Sequence, residues 1–351
     1  MNIEFHYYMT YLVATKAGIG RDEARVIAFA AQHIDDNSFV VNVEADDGSG
    51  AAVYQNYVSQ TMDILKAKRQ LFRIYPIFHF IPGDPRSPTA WRKDGSMHWL
   101  NTTPNSTNAN RVFDAALTSG DLYRIGVSCH GYADTWAHQN FVGYFHPFNA
   151  VSENALSTFT PNVGHADAGH HPDWPALVWE DPRLVNANAM IDNRSRFLEA
   201  ADHMLRKLAK LADSKISDKA LDTKASELRQ DLNTAIGDQD NTNKMRAERI
   251  GRYRELAATK AYGSEMLSDY DENEWFAQAI NEKVRGLRDR DSEWSRLTVL
   301  KDRYTWRNPD SYRQSHWYRF QEAVKAHQDE TWGILKESTF NGLALPELAD
   351  W

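Results

Sequence analysis

The sequence predicts a mainly α-helical protein, and three observations carry that expectation. Apolar residues recur at helical spacing over most of the chain, and glycine-containing or polar breaks separate the periodic stretches. Only residues 39–43 read as a strand. At 42% hydrophobic and 25% charged residues, the 351-residue chain has ordinary globular composition, which excludes disordered and fibrous classes.

The elements follow in order. Residues 5–17 carry apolar side chains at helical spacing and stop at the Gly18-Ile19-Gly20 turn. RDEARVIAFAAQHIDD (21–36) opens with acids in its first turn and sets Ala24, Ile27, Ala28, Ala31 and Asp35 along one side. Residues 38–54 read as an extended excursion with a Gly-rich turn, and TMDILKAKRQLF (61–72) as a short helix. Four prolines oppose regular structure in YPIFHFIPGDPRSP (75–88), and residues 94–110 are loop-like. A helix is predicted from about residue 112 to 142, with a break near Gly120; residues 143–190 form a long loop rich in Gly, His, Pro and Asn. Beyond Asp192 come amphipathic helices over 195–213, 219–237, 243–263, 274–289 and 317–337. That change divides the chain into a metal-binding helical core, 1–190, and a helical region packed on it, 191–351.

Several function classes drop out. A net charge of −8 gives no general footprint for duplex nucleic acid. Cys129 is the single cysteine, so no internal disulfide forms, and it points about 100° away from its helical neighbour His130, which rules out a thiol–imidazole dyad. The chain has no nucleophile elbow, no phosphate-binding P-loop and no GxGxxG. Its opening, MNIEFHYYMTYLVATKAG, lacks the basic start and unbroken apolar stretch of a secretory signal, and no run approaches the roughly 18 apolar residues of a membrane span. The expectation is a cytoplasmic protein without a transmembrane segment, with signal-independent export as the other route.

Chemistry concentrates in the first half, where ten of the 13 histidines precede residue 172. In CHGYADTWAHQNF, His130, Asp134 and His138 fall within a helical sector of roughly 80°. The outer two are about 12 Å apart along the axis, too far to share one ion with bonds near 2.0–2.2 Å. A metal-binding face would therefore serve at least two ions, with Asp134 as the bridging carboxylate. Partners come from His6, from Asp35 and Asp36 at the end of the second helix, and from His79 in its proline-framed loop. GHADAGHHPDWP adds His165, Asp167, His170, His171 and Asp173. Asp35 lies on an apolar stripe, where a carboxylate needs a partner or a metal; nearby His33 faces elsewhere. Imidazole and carboxylate without thiolate suit zinc ahead of manganese or iron.

The ordered set His6, Asp35 or Asp36, His79, His130-x-x-x-Asp134, His138, His165 and a following acid resembles the zinc-dependent phospholipase C and single-strand nuclease superfamily. EFHYY, the Asp35-Asp36 helix end, PIFHF and HGYADTWAHQNF are also similar to a group of uncharacterised bacterial proteins. The resemblance covers roughly residues 1–175. It implies a multi-helix core with long loops, three zinc ions in one cleft, and phosphodiester hydrolysis. It assigns Asp35 or Asp36, His79, His130 and Asp134 to one zinc, and His138, His165 and Asp173 (or Asp167) to a second. Asp134 and His6 contribute to a third. In that superfamily the third zinc uses the free amine of a processed N-terminal residue, whereas His6 here follows Met1-Asn2-Ile3-Glu4-Phe5, so two or three ions are expected. No acid stands four residues after His165, and His138 follows Asp134 more closely than is usual there.

The expected function is a zinc-dependent phosphodiesterase acting through metal-activated water on phospholipid or single-stranded nucleic acid. Asp35, Asp36 and Asp134 are the expected catalytic acids, and Trp136, Phe141, Tyr144 and Trp174 the aromatics that a substrate would meet, each also a natural core residue. A non-enzymatic, metal-stabilised helical binding protein is the alternative. A His-Asp phosphohydrolase ranks below both, because the chain contains no His-Asp dipeptide. The basic positions Arg206, Lys207, Lys210, Arg246, Arg249, Arg252 and Arg254 read as helix faces matched by acids rather than a polyanion groove.

Overall fold

The computed structural model describes residues 1–46, 49, 51–61, 71–151, 163–283, 303–341 and 343. It is mainly α. The chain enters through a π-helical turn, Glu4–Met9, in which the Thr10 hydroxyl donates to the Phe5 carbonyl at 3.0 Å. The turn runs into α1 (Thr10–Ala17), which Gly18 ends in the left-handed region at φ 109°. Then come α2 (Arg21–Asp36) and the single turn α3 (Tyr75–Phe78). The predicted long helix is two: α4 (Thr107–Ser119), which ends at left-handed Gly120, and α5 (Leu122–Ala137), which Asp121 starts by accepting from the Tyr123 amide at 2.9 Å. The chain continues through α6 (Asn186–Ala189), α7 (Asn193–Ala212), α8 (Asp218–Ile236), α9 (Arg246–Ala257), α10 (Glu274–Ala279) and α11 (His316–Glu337).

Among the described residues there are six short strands, of which β1 (Asn42–Glu44) overlaps the strand expected over 39–43 and the others were not foreseen as such. β1 and β2 (Ala52–Gln55) form a hairpin where the extended excursion was expected. β5 (Ile280–Lys283) pairs antiparallel with β6 (Arg303–Trp306), which lies parallel to β1, giving the order β2-β1-β6-β5. β3 (Val178–Glu180) pairs with β4 (Met190–Asp192). The helix expected over 274–289 therefore stops at Ala279 and turns into β5, because the pairing partner from residue 303 onward outweighs a local helical period. Most of the helix expected over 61–72 lies outside the described residues.

α5 is the axis of the molecule, buried along nearly its whole length between α2, α4, α7 and α11. One apolar cluster runs from Phe5, Phe29 and Phe113 to Phe197, Met204, Trp275 and Phe320, so the second half of the chain closes the same core as the first. No helix among the described residues is long and apolar enough to cross a membrane.

Candidate metal centre

Two glycines of α5 set the spacing of this centre. A Cβ on Gly126 would lie 2.4 Å from the Ile27 carbonyl and 2.7 Å from the Ala30 Cβ. Its absence lets α2 close onto α5 and brings Asp35, two turns past Ala28, beside His130. A Cβ on Gly131 would lie 2.9 Å from the Phe78 carbonyl, so the loop bearing His79 also reaches the helix. His138 falls just past the end of α5, where its backbone amide still donates to the Asp134 carbonyl at 2.8 Å.

Four imidazoles are held by the main chain in one manner. His130 Nδ1 lies 2.8 Å from the Ala31 carbonyl, and His79 Nε2 lies 2.9 Å from the Ser59 carbonyl. His138 Nδ1 lies 2.8 Å from the His79 carbonyl, and His165 Nδ1 lies 2.8 Å from the Gly169 carbonyl. A carbonyl oxygen only accepts, so each of these nitrogens carries the proton and the other nitrogen of the neutral ring presents a lone pair. Those lone pairs face carboxylates and one another. His130 Nε2 is 3.0 Å from His79 Nδ1, 3.2 Å from Asp134 Oδ2 and 3.6 Å from Asp35 Oδ1. His138 Nε2 is 3.3 Å from Asp173 Oδ1, and His165 Nε2 is 3.6 Å from Asp173 Oδ2. His6 stacks on His130 with ring centroids 3.9 Å apart and points Nε2 at Asp134 Oδ1, 3.2 Å away. Both its ring nitrogens are buried without a hydrogen-bond partner.

Among the described residues, three groups have donor atoms close enough to hold a metal ion: Asp35, His79 and His130; His6, His130 and Asp134; His138, His165 and Asp173. Nitrogen and oxygen atoms around one tetrahedral zinc with bonds near 2.0 Å are about 3.3 Å apart, the scale of the separations here. His130 belongs to two groups but has one free nitrogen, so it commits to one ion. Asp134 turns Oδ1 to His6 and Oδ2 to His79, His130 and His138, the placement of a bridging carboxylate.

The electrostatics suit cations. Burial alone would raise Asp134, but His138, the Met1 amine, His130 and His6 hold its carboxyl well below the usual range. Burial likewise opposes ionisation of Asp173, and His165 and the Met1 amine overcome it. Burial raises Asp35. Burial pushes His138 down to about 4 and His6 well below its ordinary value, while at His130 the pull of Asp134 and Asp35 outweighs burial and raises it. Two firm carboxylates thus sit among the rings, of which His6 and His138 resist protonation.

The first-half residues do not all converge. Asp36 turns away from the rings, accepting from Tyr270 Oη at 2.7 Å and Gln32 Nε2 at 3.2 Å. Asp167 accepts from the Val151 amide at 2.6 Å, so Asp173 is the acid that meets His138 and His165. His33 bonds Tyr270, and His98 bonds Tyr144. Cys129, Trp136 and Phe141 are core residues, whereas Trp174 lines the cleft. The residue that sequence reasoning missed as a participant is Met1. Its amino group is fully buried, contacts Asp134 Oδ1, and lies 3.3 Å from His138 Nε2 and 3.4 Å from Asp173 Oδ1. No side-chain pattern announces a main-chain amine.

Glu4 holds that N-terminal turn from the far half of the chain. Arg249 on α9 grips it with Nε at 2.7 Å and Nη2 at 3.0 Å, and Arg249 Nη1 reaches Asp240 at 3.0 Å. The centre opens into a cleft of about 1210 Å³ lined by Asp35, Asp36, His79, His138, His165 and Asp173, with Tyr75, Phe80, Trp174 and Tyr270 as aromatic walls.

A family of unknown function (DUF6765) matches residues 1–335, and the chain belongs to that family. No curated protein and no solved structure matches the chain.

Proposed function

We propose that this member of the family is a zinc-dependent phosphodiesterase with a phospholipase C or nuclease-like helical core. The observation that carries the reading is the set of four histidines whose protonated nitrogens are fixed by main-chain carbonyls while their free nitrogens converge on Asp35, Asp134 and Asp173. The two nitrogens of His6, buried without partners, fit the same donor set. Asp35, His79, His130 and Asp134 would hold one ion and His138, His165 and Asp173 a second, with His6 and Asp134 contributing to a third. Bound zinc would supply a Lewis acid and lower the pKa of a nearby water towards neutrality.

The chain's own residues do the rest. Asp36 lines the cleft beside Asp35 without joining a metal group; burial raises its carboxyl, and Tyr270 and Gln32 fix its orientation. Facing the cleft rather than the rings, it would accept the proton of the attacking water from the substrate side. Tyr75, Phe80 and Trp174 exclude water around the substrate. Asp271 and Glu272 at the rim disfavour a long polyanion, so a compact diester, a phospholipid headgroup or a short oligonucleotide, fits better. The deciding experiment measures zinc content in protein purified without added metal, then hydrolysis of bis(p-nitrophenyl) phosphate, phosphatidylcholine vesicles and single-stranded DNA. Less than one zinc per chain, or zinc without turnover, rejects the enzyme.

The second reading, a metal-stabilised binding protein, is favoured by one observation: His6, His130 and Asp134 are wholly enclosed, as a structural ion site is. Zinc bound without turnover on all three substrates is its signature.

A further inference from the structure

The basic positions of α9 separate into two kinds. Arg249 is spent on Glu4 and Asp240, Arg252 donates to the Ala235 and Ile236 carbonyls, and Arg254 binds the Leu267 carbonyl and Asp269. Arg246 has no such partner. It is exposed, and it is the one lysine or arginine among the described residues that line the cleft. The other charged lining side chains are acids, Asp35, Asp36, Asp173, Asp271 and Glu272, while the Met1 ammonium is buried against Asp134 and Asp173. Away from the metal groups, Arg246 is therefore the guanidinium that an anionic group meets at the wall of this cleft. Beside it, the His170 ring lies within electrostatic reach of the guanidinium and stacks parallel on Trp174, with centroids 6.1 Å apart.

We propose that Arg246 forms a subsite for a second anionic group on the substrate, a phosphate monoester or carboxylate separate from the diester under attack. The proposal rests on the phosphodiesterase reading and narrows its substrate class. A guanidinium with free N–H donors at the wall of an otherwise acidic cleft recognises such a group by charge and by paired hydrogen bonds. A nucleotide with a terminal phosphate and a phospholipid with a carboxylate headgroup share that chemistry.

Two matched pairs test it on the full-length, zinc-loaded protein. The first is thymidine 5′-(p-nitrophenyl phosphate) with and without a 3′-phosphate, and the second is phosphatidylserine against phosphatidylcholine in mixed micelles. The wild type is expected to prefer the extra anion by about tenfold in kcat/KM in one pair, and the pair that shows it identifies the source. R246Q abolishes the preference, R246K keeps part of it, and R252Q, which removes a charge bound to main-chain carbonyls, keeps all of it. Equal rates within both pairs, or a preference that survives R246Q, overturns the subsite. If no diester is cleaved, the enzyme reading falls, and calorimetry then decides the subsite alone. Thymidine 3′,5′-bisphosphate must bind more tightly than thymidine 5′-monophosphate in the wild type and equally in R246Q; otherwise the subsite falls too.

Discussion

Nε2 of His130 lies 3.0 Å from Nδ1 of His79, and each ring has already given its other nitrogen to a main-chain carbonyl. Two neutral rings so fixed would aim lone pairs at each other, which is stable only with a proton or a metal ion between them. The main chain has arranged a donor pair before any cation arrives.

Asp134→Ala is expected to lose at least one zinc per chain, and Asp134→Asn to lose as much, since the neutral amide cannot bridge. Metal analysis of the purified variants reads this directly; full zinc content in both would remove Asp134 from the centre. Stripping the wild type with a chelator should lower its melting temperature, because an ion at a thousandfold excess over its Kd adds about 4 kcal/mol to the folded state.

Asp36→Asn and Asp35→Asn should differ in kind. Asp36 is outside the three groups, so its amide variant keeps zinc while kcat falls by about a hundredfold or more and the acidic limb of the pH–rate profile disappears. Asp35→Asn loses zinc. Identical metal content and activity in the two variants would contradict the division of roles.

Arg249→Met leaves the Glu4 carboxylate buried without its partner and should cost about 3–5 kcal/mol in urea unfolding. Glu4→Gln combined with Arg249→Met should recover much of that loss, since neither charge then remains stranded. A double variant no better than the single one would show that the pair acts through packing.

Gly126→Ala pushes a methyl group into the Ile27 carbonyl and the Ala30 side chain. The expected loss is about 1–3 kcal/mol of stability together with weaker zinc binding, because α2 carries Asp35. Titration with a zinc indicator, alongside urea unfolding, separates the two effects.

Acid should weaken the metal-free protein well above the carboxylate range. Burial pushes His33, His98 and His138 to about 4 and His327 to about 3, against about 6.5 in the unfolded chain. The unfolded state therefore binds more protons between these limits, and the stability present above pH 6.5 is lost as the pH falls towards 4. His6, His203 and His316 are lowered as well, while His130 and His170, raised in the fold, run the other way, two rings against seven. Urea midpoints should drop between pH 7.5 and 5 by the equivalent of about 2 kcal/mol or more; a flat profile would mean these rings are solvated.

Much of this was legible in the sequence because it was local. The stretch 21–36 folds as α2 over the residues its period marked, and the stripe that held Ala24, Ile27, Ala28 and Ala31 also aimed Asp35 inward and Asp36 away. Gly120 broke the long helix where a left-handed residue was needed. What escaped depends on distant partners. β6 lies parallel to β1 some 260 residues further along the chain, and Ile280 leaves the helix to pair with β6. Asp173 could not be chosen over Asp167 by spacing, since the choice is made by where His138 and His165 end up.

The hold of Arg249 on Glu4 also orders events during synthesis. At roughly 5–20 residues per second, the ribosome needs on the order of tens of seconds to reach the arginine after the glutamate has emerged. Until then Glu4 lacks its guanidinium partner, and the turn that carries His6 to Asp134 rests on its packing against α2 and α5 alone. An ion held beside His6 would therefore find its site complete only late in biogenesis, once α9 has emerged.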